Sequence, residues 1–426
     1  MTSIKRRDFI NLTGMAAATG MVTGFYSGST DQKNELGHSP GALTSMTDDV
    51  VPISLAEREA RVARAQRLLV ENKMDALILD CGTGLNYFTG IQWWPSERTM
   101  VAIIPAKGEV RYVCPGFEEA RLREQITLGK EVYVWQEDES PYKLIAKAVQ
   151  DSGIQFGSTA IEERTRFFIV DGLRKEAPHQ NYVSGDPVTI GCRIHKSSAE
   201  IQLMQKASDI TWAAIKHGVT QLKEGMTQGE LASIIMKAQT TMGGVADFAL
   251  CLFGTDSAFP HGTVHPQPLK EGDVVLMDCG CTIEGYNSDI TRTVVFGKPT
   301  KRQREIWALE KLAQEAGFNA ARIGAPCEAV DAAARKVITD AGFGPGYQLP
   351  GLPHRTGHGI GMDGHEWGNM VKGNQRPLEP GMCFSIEPTI AIPGEFGVRL
   401  EDCVYMTEDG PHWFSRTSKS IDDPFA

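Results

Sequence analysis

Two aspartates, Asp278 and Asp289, stand on either side of a turn-rich stretch and could act together on a bound ion. The apolar run Val274–Met277 ends at Asp278, and a second strand-like run begins with Asp289. Two strands joined by a tight connection would lay both carboxylates side by side at one end of a sheet. Adjacent inward-facing carboxylates repel each other unless they share a proton or a cation. The pair therefore predicts a cation site, and the connection Thr282–Ser288 is expected only to hold its register.

Three motifs near the C-terminus carry further candidate ligands. His358 lies in the glycine-rich run Thr356–Gly361, where small neighbours let the backbone approach a ligand closely. Glu387 ends an apolar strand and is followed by a proline. Glu401 stands two positions after Arg399, so on a strand both side chains point to the same face. Each carboxylate alone would fit a solvated strand end, but together the motifs indicate a common site.

The combined set is rich in oxygen ligands and contains one imidazole: Asp278, Asp289, His358, Glu387 and Glu401. Such a set suits a pair of divalent Mn, Co, Fe or Zn ions, and the excess of carboxylates favours Mn. It does not suit a structural zinc, which prefers Cys and His ligands.

Composition excludes several classes of partner. The chain has 426 residues, enough for two domains with full cores, and 41% hydrophobic and 23% charged residues are ordinary for a soluble protein. A net charge of −10 argues against nucleic-acid or anionic-membrane partners. No apolar run reaches the roughly 18 to 20 residues of a membrane span. The nine cysteines have no CxxC spacing, so we expect buried, reduced thiols.

Residues 1–48 are predicted to be an export signal and a linker. Arg6-Arg7, followed by Phe9-Ile10 and the weakly apolar stretch Leu12–Tyr26, resembles a twin-arginine (Tat) signal. Residues 27–48 are rich in Ser, Gly, Asp and Thr, as linkers are. The pattern predicts recognition by the Tat machinery and a periplasmic or otherwise exported protein. The alternative is a disordered basic tail on a cytoplasmic protein.

Residues 49–191 are predicted to form an α/β domain, with order beginning near Ser54. A capping box at Ser54–Glu57 opens a helix, Asp75–Asp80 is a buried strand, and strands and helices alternate from there on. The domain has no cluster of Asp, Glu, His or Cys at ligand spacing, so it should shape a site or an oligomer interface. Trp93-Trp94 fits core or interface packing, with a substrate-contacting rim as the alternative.

Residues 195–426 are predicted to form the catalytic domain. Lys196–Glu200 and Thr227–Glu230 open two long helices, and further helices are expected at about 301–323 and 326–341. Glycines and strand-formers dominate the rest. The predicted fold class is therefore α+β, with an α/β domain followed by a domain that carries the chemistry.

The second half closely resembles the pita-bread metallopeptidases, which include methionine aminopeptidase, Xaa-Pro aminopeptidase and prolidase. The match covers about residues 195–415, and the family's ligand order of Asp, Asp, His, Glu and Glu falls on the five candidates above. The first domain looks like the creatinase/prolidase N-terminal domain through the motif Leu85–Gly90. The resemblance implies a pita-bread catalytic domain that binds two divalent ions, and a homodimer.

The resemblance also implies roles beyond metal binding. Glu387 would pass a proton from the attacking water to the leaving nitrogen, in addition to binding metal. His261 and His365 would stabilise the oxyanion or orient the substrate. His354 and Arg399 would bind a substrate carboxylate or position the residue after the scissile bond.

The implied activity is hydrolysis of an Xaa-Pro bond, at peptide N-termini or in dipeptides, by a hydroxide that bridges the two metal ions. The N-terminal domain and His354 favour the Xaa-Pro branch over methionine aminopeptidase. One alternative is a metal-dependent small-molecule hydrolase or lyase on the same fold, similar to ectoine hydrolase or dimethylsulfoniopropionate lyase. Another is a non-catalytic binding protein, although such members typically lose ligands and none is missing here.

Overall fold

The computed structural model describes residues 43–152 and 156–425. Most of the predicted export signal and linker lies in residues 1–42, outside the described part. Residues 43–48, assigned above to the linker, pack on the catalytic domain. Leu43 and Met46 lie against its core, and the Met46 N–H donates to the Met242 carbonyl at 2.9 Å. The ordered chain therefore begins before Ser54, earlier than expected.

The first domain alternates helices and strands from its first helix to the domain junction. Its elements are α1 (Leu55–Glu71), β1 (Ala76–Asp80), α2 (Thr83–Thr89), β2 (Val101–Pro105), β3 (Arg111–Pro115), α3 (Glu119–Gln125), β4 (Glu131–Trp135), α4 (Pro141–Gln150), β5 (Ser158–Ile161), α5 (Phe167–Glu176), β6 (Asn181–Ser184) and α6 (Asp186–Arg193).

These strands form one mixed sheet in the order β4-β3-β2-β1-β5-β6. β2 runs antiparallel to both β1 and β3, and the remaining pairs are parallel. The side chains of successive β1 residues point to opposite faces of the sheet. Leu77 and Leu79 pack in the core on one face, and Ile78 packs in the core on the other. Because helices cover both faces, β1 is buried along its whole length, as its apolar sequence predicts.

The start of α1 differs from the predicted capping box. Ser54 Oγ accepts from the Glu57 N–H at 3.2 Å, as expected for an N-cap. The Glu57 carboxylate, however, accepts from Arg61 at 2.6 Å and from Ser197 Oγ at 2.8 Å. The glutamate that would have closed the box therefore joins the first domain to the start of the second.

The second domain consists of helix pairs packed on twisted antiparallel strands. Its elements are α7 (Ser198–Val219), α8 (Gln228–Thr241), β7 (Val245–Phe253), β8 (Val274–Ile283), β9 (Tyr286–Asn287), β10 (Ile290–Val295), α9 (Lys301–Ala320), α10 (Glu328–Asp340), β11 (Gly357–Gly359), β12 (Glu366–Met370), β13 (Cys383–Ile386), β14 (Thr389–Ile392), β15 (Phe396–Arg399), β16 (Asp402–Thr407) and β17 (Gly410–Trp413).

Two sheets carry the site. One has the order β10-β8-β7, with β9 paired to β8, and the other has the order β12-β11-β13-β16-β17. α7 and α8 pack on the first sheet, whereas α9 and α10 pack on the β14–β15 hairpin. The predicted starts of α7 and α8 are confirmed, and each of the two helices begins with a capping box. All nine cysteines are free thiols, and eight of them are buried.

Asp278 lies in the middle of β8 and not at a strand end, so the prediction from the apolar run was wrong on this point. The strand continues to Ile283 because it pairs with β7 on one side, and on the other side Asp278 stands opposite Thr291 of β10. Asp289 precedes β10, where the chain folds back over Gly280. A Cβ at Gly280 would lie 2.5 Å from the Ser288 carbonyl oxygen, so only glycine permits this approach.

The connection Thr282–Ser288 does more than hold register. The Tyr286 hydroxyl is buried, donates to Glu200 at 2.9 Å and accepts from Arg61 of the first domain at 3.0 Å. Asn287 donates through its backbone and its side-chain amide to the Gly361 carbonyl. The segment therefore cannot vary freely, because it ties the metal-bearing strands to two other parts of the molecule.

One buried carboxylate of the first domain predicts a pH-dependent stability. Burial, and then the neighbouring Glu163, raise the pKa of Glu162 from 4.5 to about 7. The folded state therefore binds this proton more tightly than the unfolded state, and stability falls as the pH rises through that range. Glu162→Gln should remove the loss, which amounts to at most about 3 kcal/mol.

Thermal unfolding at about pH 5 and about pH 8 checks this prediction. The variant should gain in Tm over the wild type at the higher pH, while Glu124→Gln, at an exposed site, should follow the wild type. An equal Tm difference at both pH values would contradict the assignment.

Candidate metal centre

The five predicted ligands converge from separate strands on the floor of one cleft. Asp278 comes from β8, Asp289 from the residue before β10, His358 from β11, Glu387 from the residue after β13, and Glu401 from the junction of β15 and β16. Ligand atoms of Asp278, Asp289 and Glu401 lie within 4.8 Å of one another, and those of His358, Glu387 and Glu401 form a second such group. Glu401 belongs to both groups, as a carboxylate shared by two ions would.

The carboxylates of this cluster are short of hydrogen-bond donors. One oxygen each of Asp278, Asp289 and Glu401 is buried without a hydrogen-bond partner among the described residues. Burial, followed by repulsion from the other carboxylates, raises the pKa of both Asp289 and Glu401 well above the ordinary value. An unpaired buried carboxylate is unfavourable. Divalent cations would satisfy these oxygens and offset the repulsion, so the residues present fit a metal.

His358 presents the tautomer that a metal requires. Its Nδ1 lies 3.1 Å from the Gly359 carbonyl oxygen, which can only accept, so Nδ1 carries the proton. Nε2 is then the nitrogen that faces the ligand carboxylates, at 3.6 Å from Asp289 Oδ2 and 3.2 Å from Glu387 Oε1, where a bound cation would accept its lone pair. His358 is 2% exposed. Its backbone N–H donates to the Ser385 hydroxyl at 3.0 Å, which fixes the position of the residue. A carbonyl partner that fixes the free nitrogen is typical of metal-bound histidines.

Glu387 is held as a carboxylate at the edge of the cluster. Burial opposes its ionisation, but the contact with His358, together with the nearby His354 and Arg399, lowers its pKa to about 2. Ser385 Oγ also donates to Glu387 Oε1 at 3.1 Å. Glu387 is therefore ionised at neutral pH and able to accept a proton.

Arg399 lies beside the candidate ligands, and its guanidinium donates hydrogen bonds to other groups of the protein. Nη2 donates to Asp278, Nε donates to Thr291 Oγ1 at 3.0 Å, and Nη1 donates to the Pro260 carbonyl at 3.2 Å. Thr291 in turn donates to Glu401 at 2.6 Å. Arg399 and Thr291 thus orient two ligands, and binding of a substrate carboxylate by Arg399 stays a prediction.

The cleft above the ligands has a volume of about 950 Å³ and is lined by all nine predicted site residues. Phe248, Leu250 and Phe259 supply an apolar wall. All the lining residues lie between positions 247 and 401, so the described part of the first domain lines none of it. Trp93 is half-buried beneath Arg121 and Trp94 is exposed, and neither lines the cleft, so the alternative of a substrate-contacting rim stays a prediction.

The three other predicted histidines surround this opening. His354 Nδ1 faces the Arg355 carbonyl at 2.7 Å and its Nε2 faces Thr389 Oγ1 at 2.9 Å, so both nitrogens have partners. The His365 ring lies 3.8 Å from that of His358, centroid to centroid. His261 lines the cleft beside Pro260.

Arg355 lines the cleft and was not predicted from the sequence. Its Nη2 donates to His365 Nδ1 at 3.1 Å, which leaves the proton of a neutral His365 on Nε2. Burial, then the neighbouring His358 and Arg355, lower the pKa of His365 to about 4. His365 is therefore a neutral N–H donor at pH 7. The sequence signal that could have identified Arg355 was its position between His354 and His358, two candidate site residues of one glycine-rich stretch.

Comparison with known proteins places this site in a family. Residues 202–408 match the profile of metallopeptidase family M24, and residues 61–195 match the creatinase/prolidase N-terminal domain. An Xaa-Pro dipeptidase from Lactobacillus delbrueckii subsp. lactis is 34% identical over 365 residues, which cover 84% of this chain and 97% of the relative. The chain belongs to metallopeptidase family M24. The prediction of a pita-bread metallopeptidase is confirmed, and a non-catalytic binding protein is disfavoured.

Solved structures agree with the M24 assignment. A dipeptidase from Mycobacterium ulcerans has a TM-score of 0.79 and 32% identity, covering 86% of this chain and 97% of that one. A prolidase from Thermococcus sibiricus has a TM-score of 0.76 and 29% identity, covering 84% and 97%. The predicted order of a creatinase/prolidase-type domain followed by a pita-bread catalytic domain is thus confirmed for this M24 peptidase.

Proposed function

We propose that this M24 metallopeptidase hydrolyses Xaa-Pro bonds, in dipeptides or at the N-termini of peptides, with two divalent ions. The observation that carries the proposal is the pair of ligand groups that share Glu401 on the floor of the cleft. Relatives named Xaa-Pro dipeptidase and prolidase support the choice of substrate. The ions would be held by Asp278, Asp289, His358, Glu387 and Glu401, and the excess of carboxylates favours Mn over Co, Fe or Zn.

Bound divalent ions would act as Lewis acids and make a water molecule more acidic. The protein's own groups then move the protons and stabilise the developing charge. The ionised Glu387 accepts the proton of the attacking water and donates it to the proline nitrogen as that nitrogen leaves. The Nε2–H of neutral His365 donates to the developing oxyanion, and His261 on the same cleft orients the substrate.

Two guanidinium groups, those of Arg355 and Arg399, line the cleft and differ in their availability to a substrate carboxylate. Arg399 is occupied by Asp278, Thr291 and a carbonyl oxygen. Arg355 lies at the cleft, and no carboxylate in the described part of the chain forms an ion pair with it. The carboxylate of an Xaa-Pro dipeptide would therefore pair with Arg355 more readily than with Arg399.

Release of the N-terminal amino acid from peptides by the Mn-loaded protein tests the proposed function. Ala-Pro, Gly-Pro and a longer Xaa-Pro peptide are the substrates, and Ala-Ala is the control that lacks proline. We expect at least one Xaa-Pro peptide to be cleaved faster than Ala-Ala. Cleavage of dipeptides alone would identify a dipeptidase, and cleavage of the longer peptide an aminopeptidase. Cleavage of none would contradict the proposal and favour a small-molecule hydrolase or lyase.

Twin-arginine export and the homodimer stay predictions from the sequence. Among the described helices, none is long and apolar enough to span a membrane.

A further inference from the structure

The loop from Gly361 to Glu366, here called the His365 loop, brings His365 to the cleft from the boundary between the two domains. Its central residue, Asp363, points away from the cleft towards the first domain. Asp363 Oδ1 accepts from Thr83 Oγ1 at 2.7 Å and from Arg164 Nη1 at 2.6 Å. Both donors belong to the first domain. They hold a residue that stands only two positions before His365.

The connection between the domains adds a second layer of support. Arg193, at the end of α6, donates to Asp363 Oδ2 at 2.7 Å and to Glu366 at 2.5 Å. Lys196 donates to the other Glu366 oxygen at 2.8 Å. The Arg193 and Glu366 side chains are each 2% exposed. Glu366 is therefore fixed in the interior by two buried cations, whereas the middle of the loop is also held by Thr83 and by the more exposed Arg164.

Apolar packing holds this loop at Met362, which lies against the cores of both domains, but it does not reach Gly364. A Cβ on Gly364, between Asp363 and His365, would meet nothing within 4 Å. The His365 imidazole contacts Arg355 and His358. The His365 backbone carbonyl oxygen lies 3.5 Å from Arg164 Nη2, which donates to it. Hydrogen bonds from Arg164, Thr83 and Arg193 therefore fix Asp363 beside His365, and of these three donors Arg164 also reaches the His365 backbone.

We infer that Asp363 and Arg164 are positioning residues, through which the first domain holds His365 at the catalytic cleft. The inference rests on the proposed catalytic role of His365. It gives the first domain a part in building the site although its described residues line none of the cleft. The pair acts through the backbone of the His365 loop and touches neither the substrate nor the metal ligands.

Arg164→Gln is the substitution that tests this inference in the metal-loaded, full-length protein. The Arg164 side chain is 52% exposed, so losing its ion pair should cost little stability. Misplacement of a catalytic group should lower kcat by about tenfold to a hundredfold, with unchanged metal content. Arg164→Lys should restore part of the loss. Arg98→Gln, which removes an exposed ion pair within the first domain, should leave kcat unchanged.

A double-mutant cycle separates positioning from a general structural effect. If Arg164 acts through His365, Arg164→Gln should cause no further loss of kcat in a His365→Gln background. An equal fold-change in both backgrounds would overturn the inference.

Hydrogen exchange gives a readout that needs no substrate. Arg164→Gln should speed the exchange of backbone amides in residues 361–366, whereas Arg98→Gln should leave them as in the wild type. Unchanged exchange in this loop would overturn the inference, whatever the activity. If no Xaa-Pro peptide is cleaved but exchange rises, the proposed function fails while the anchoring of the loop stands.

Discussion

Replacing Asp289 with Asn should deprive the centre of metal and abolish turnover. Asp289 is 6% exposed, its Oδ1 has no hydrogen-bond partner among the described residues, and it faces the carboxylates of Asp278 and Glu401. An amide lacks the charge that holds a divalent ion. Changes outside the ligand shell already cost about 10- to 100-fold in metal affinity, so loss of a ligand should cost more. Metal analysis of the purified protein and proline release from Ala-Pro measure both effects.

The same substitution should have the opposite effect on the metal-free protein. Because burial and the neighbouring carboxylates raise the pKa of Asp289, its ionised form destabilises the fold at neutral pH. Metal-free Asp289→Asn should therefore unfold at a higher temperature than metal-free wild type. Asp247→Asn, at a cleft residue outside the ligand groups, should retain its metal. Full activity of Asp289→Asn with metal retained would refute the assignment of this ligand.

Glu387→Gln should reduce kcat by about a hundredfold to ten thousandfold, the range typical of a lost general acid–base group. The wild-type carboxylate has a pKa of about 2 and is therefore ionised at neutral pH, whereas an amide has no anionic oxygen to take up the proton. A glutamine oxygen can still coordinate a cation weakly, so at saturating metal kcat should fall further than metal content.

Steady-state kinetics and metal analysis on the same sample distinguish the two roles of Glu387. Ser385→Ala, which removes the donor to Glu387 Oε1 and the acceptor of the His358 backbone N–H but leaves the Glu387 carboxylate, serves as the milder comparison. Turnover of Glu387→Gln within about tenfold of the wild type would mean that another group carries the proton.

The predicted site residues come together in the structure because their signals are local. Each candidate ligand stands in or beside a short strand or a glycine-rich run, where the neighbouring residues fix its direction. The two hydroxyls that donate to ligands also stand two positions from a candidate ligand, as the alternation of side chains along a strand favours. Thr291, which donates to Glu401, comes two positions after Asp289, and Ser385, which donates to Glu387, comes two positions before it. The sequence contained these signals, although Thr291 and Ser385 were not singled out.

What the sequence did not predict depends on contacts between distant segments. Asp278 lies within β8 because β7 and β10 flank it on both sides, which the apolar run alone could not reveal. Glu57 leaves its capping box because Ser197 of the other domain competes for it. The anchoring of Asp363 by Arg164 likewise requires the domains to meet, since the two residues are far apart in the chain. Domain junctions were therefore the least predictable part of this protein.

The most direct test is to add Mn to chelator-treated, full-length protein and follow proline release from Ala-Pro. We predict no hydrolysis before metal is added, and a rise that levels off at about two bound ions per chain, as expected for a two-metal hydrolase. Hydrolysis that persists after complete removal of metal would contradict the account. So would Mn binding at the site without any cleavage of Xaa-Pro peptides.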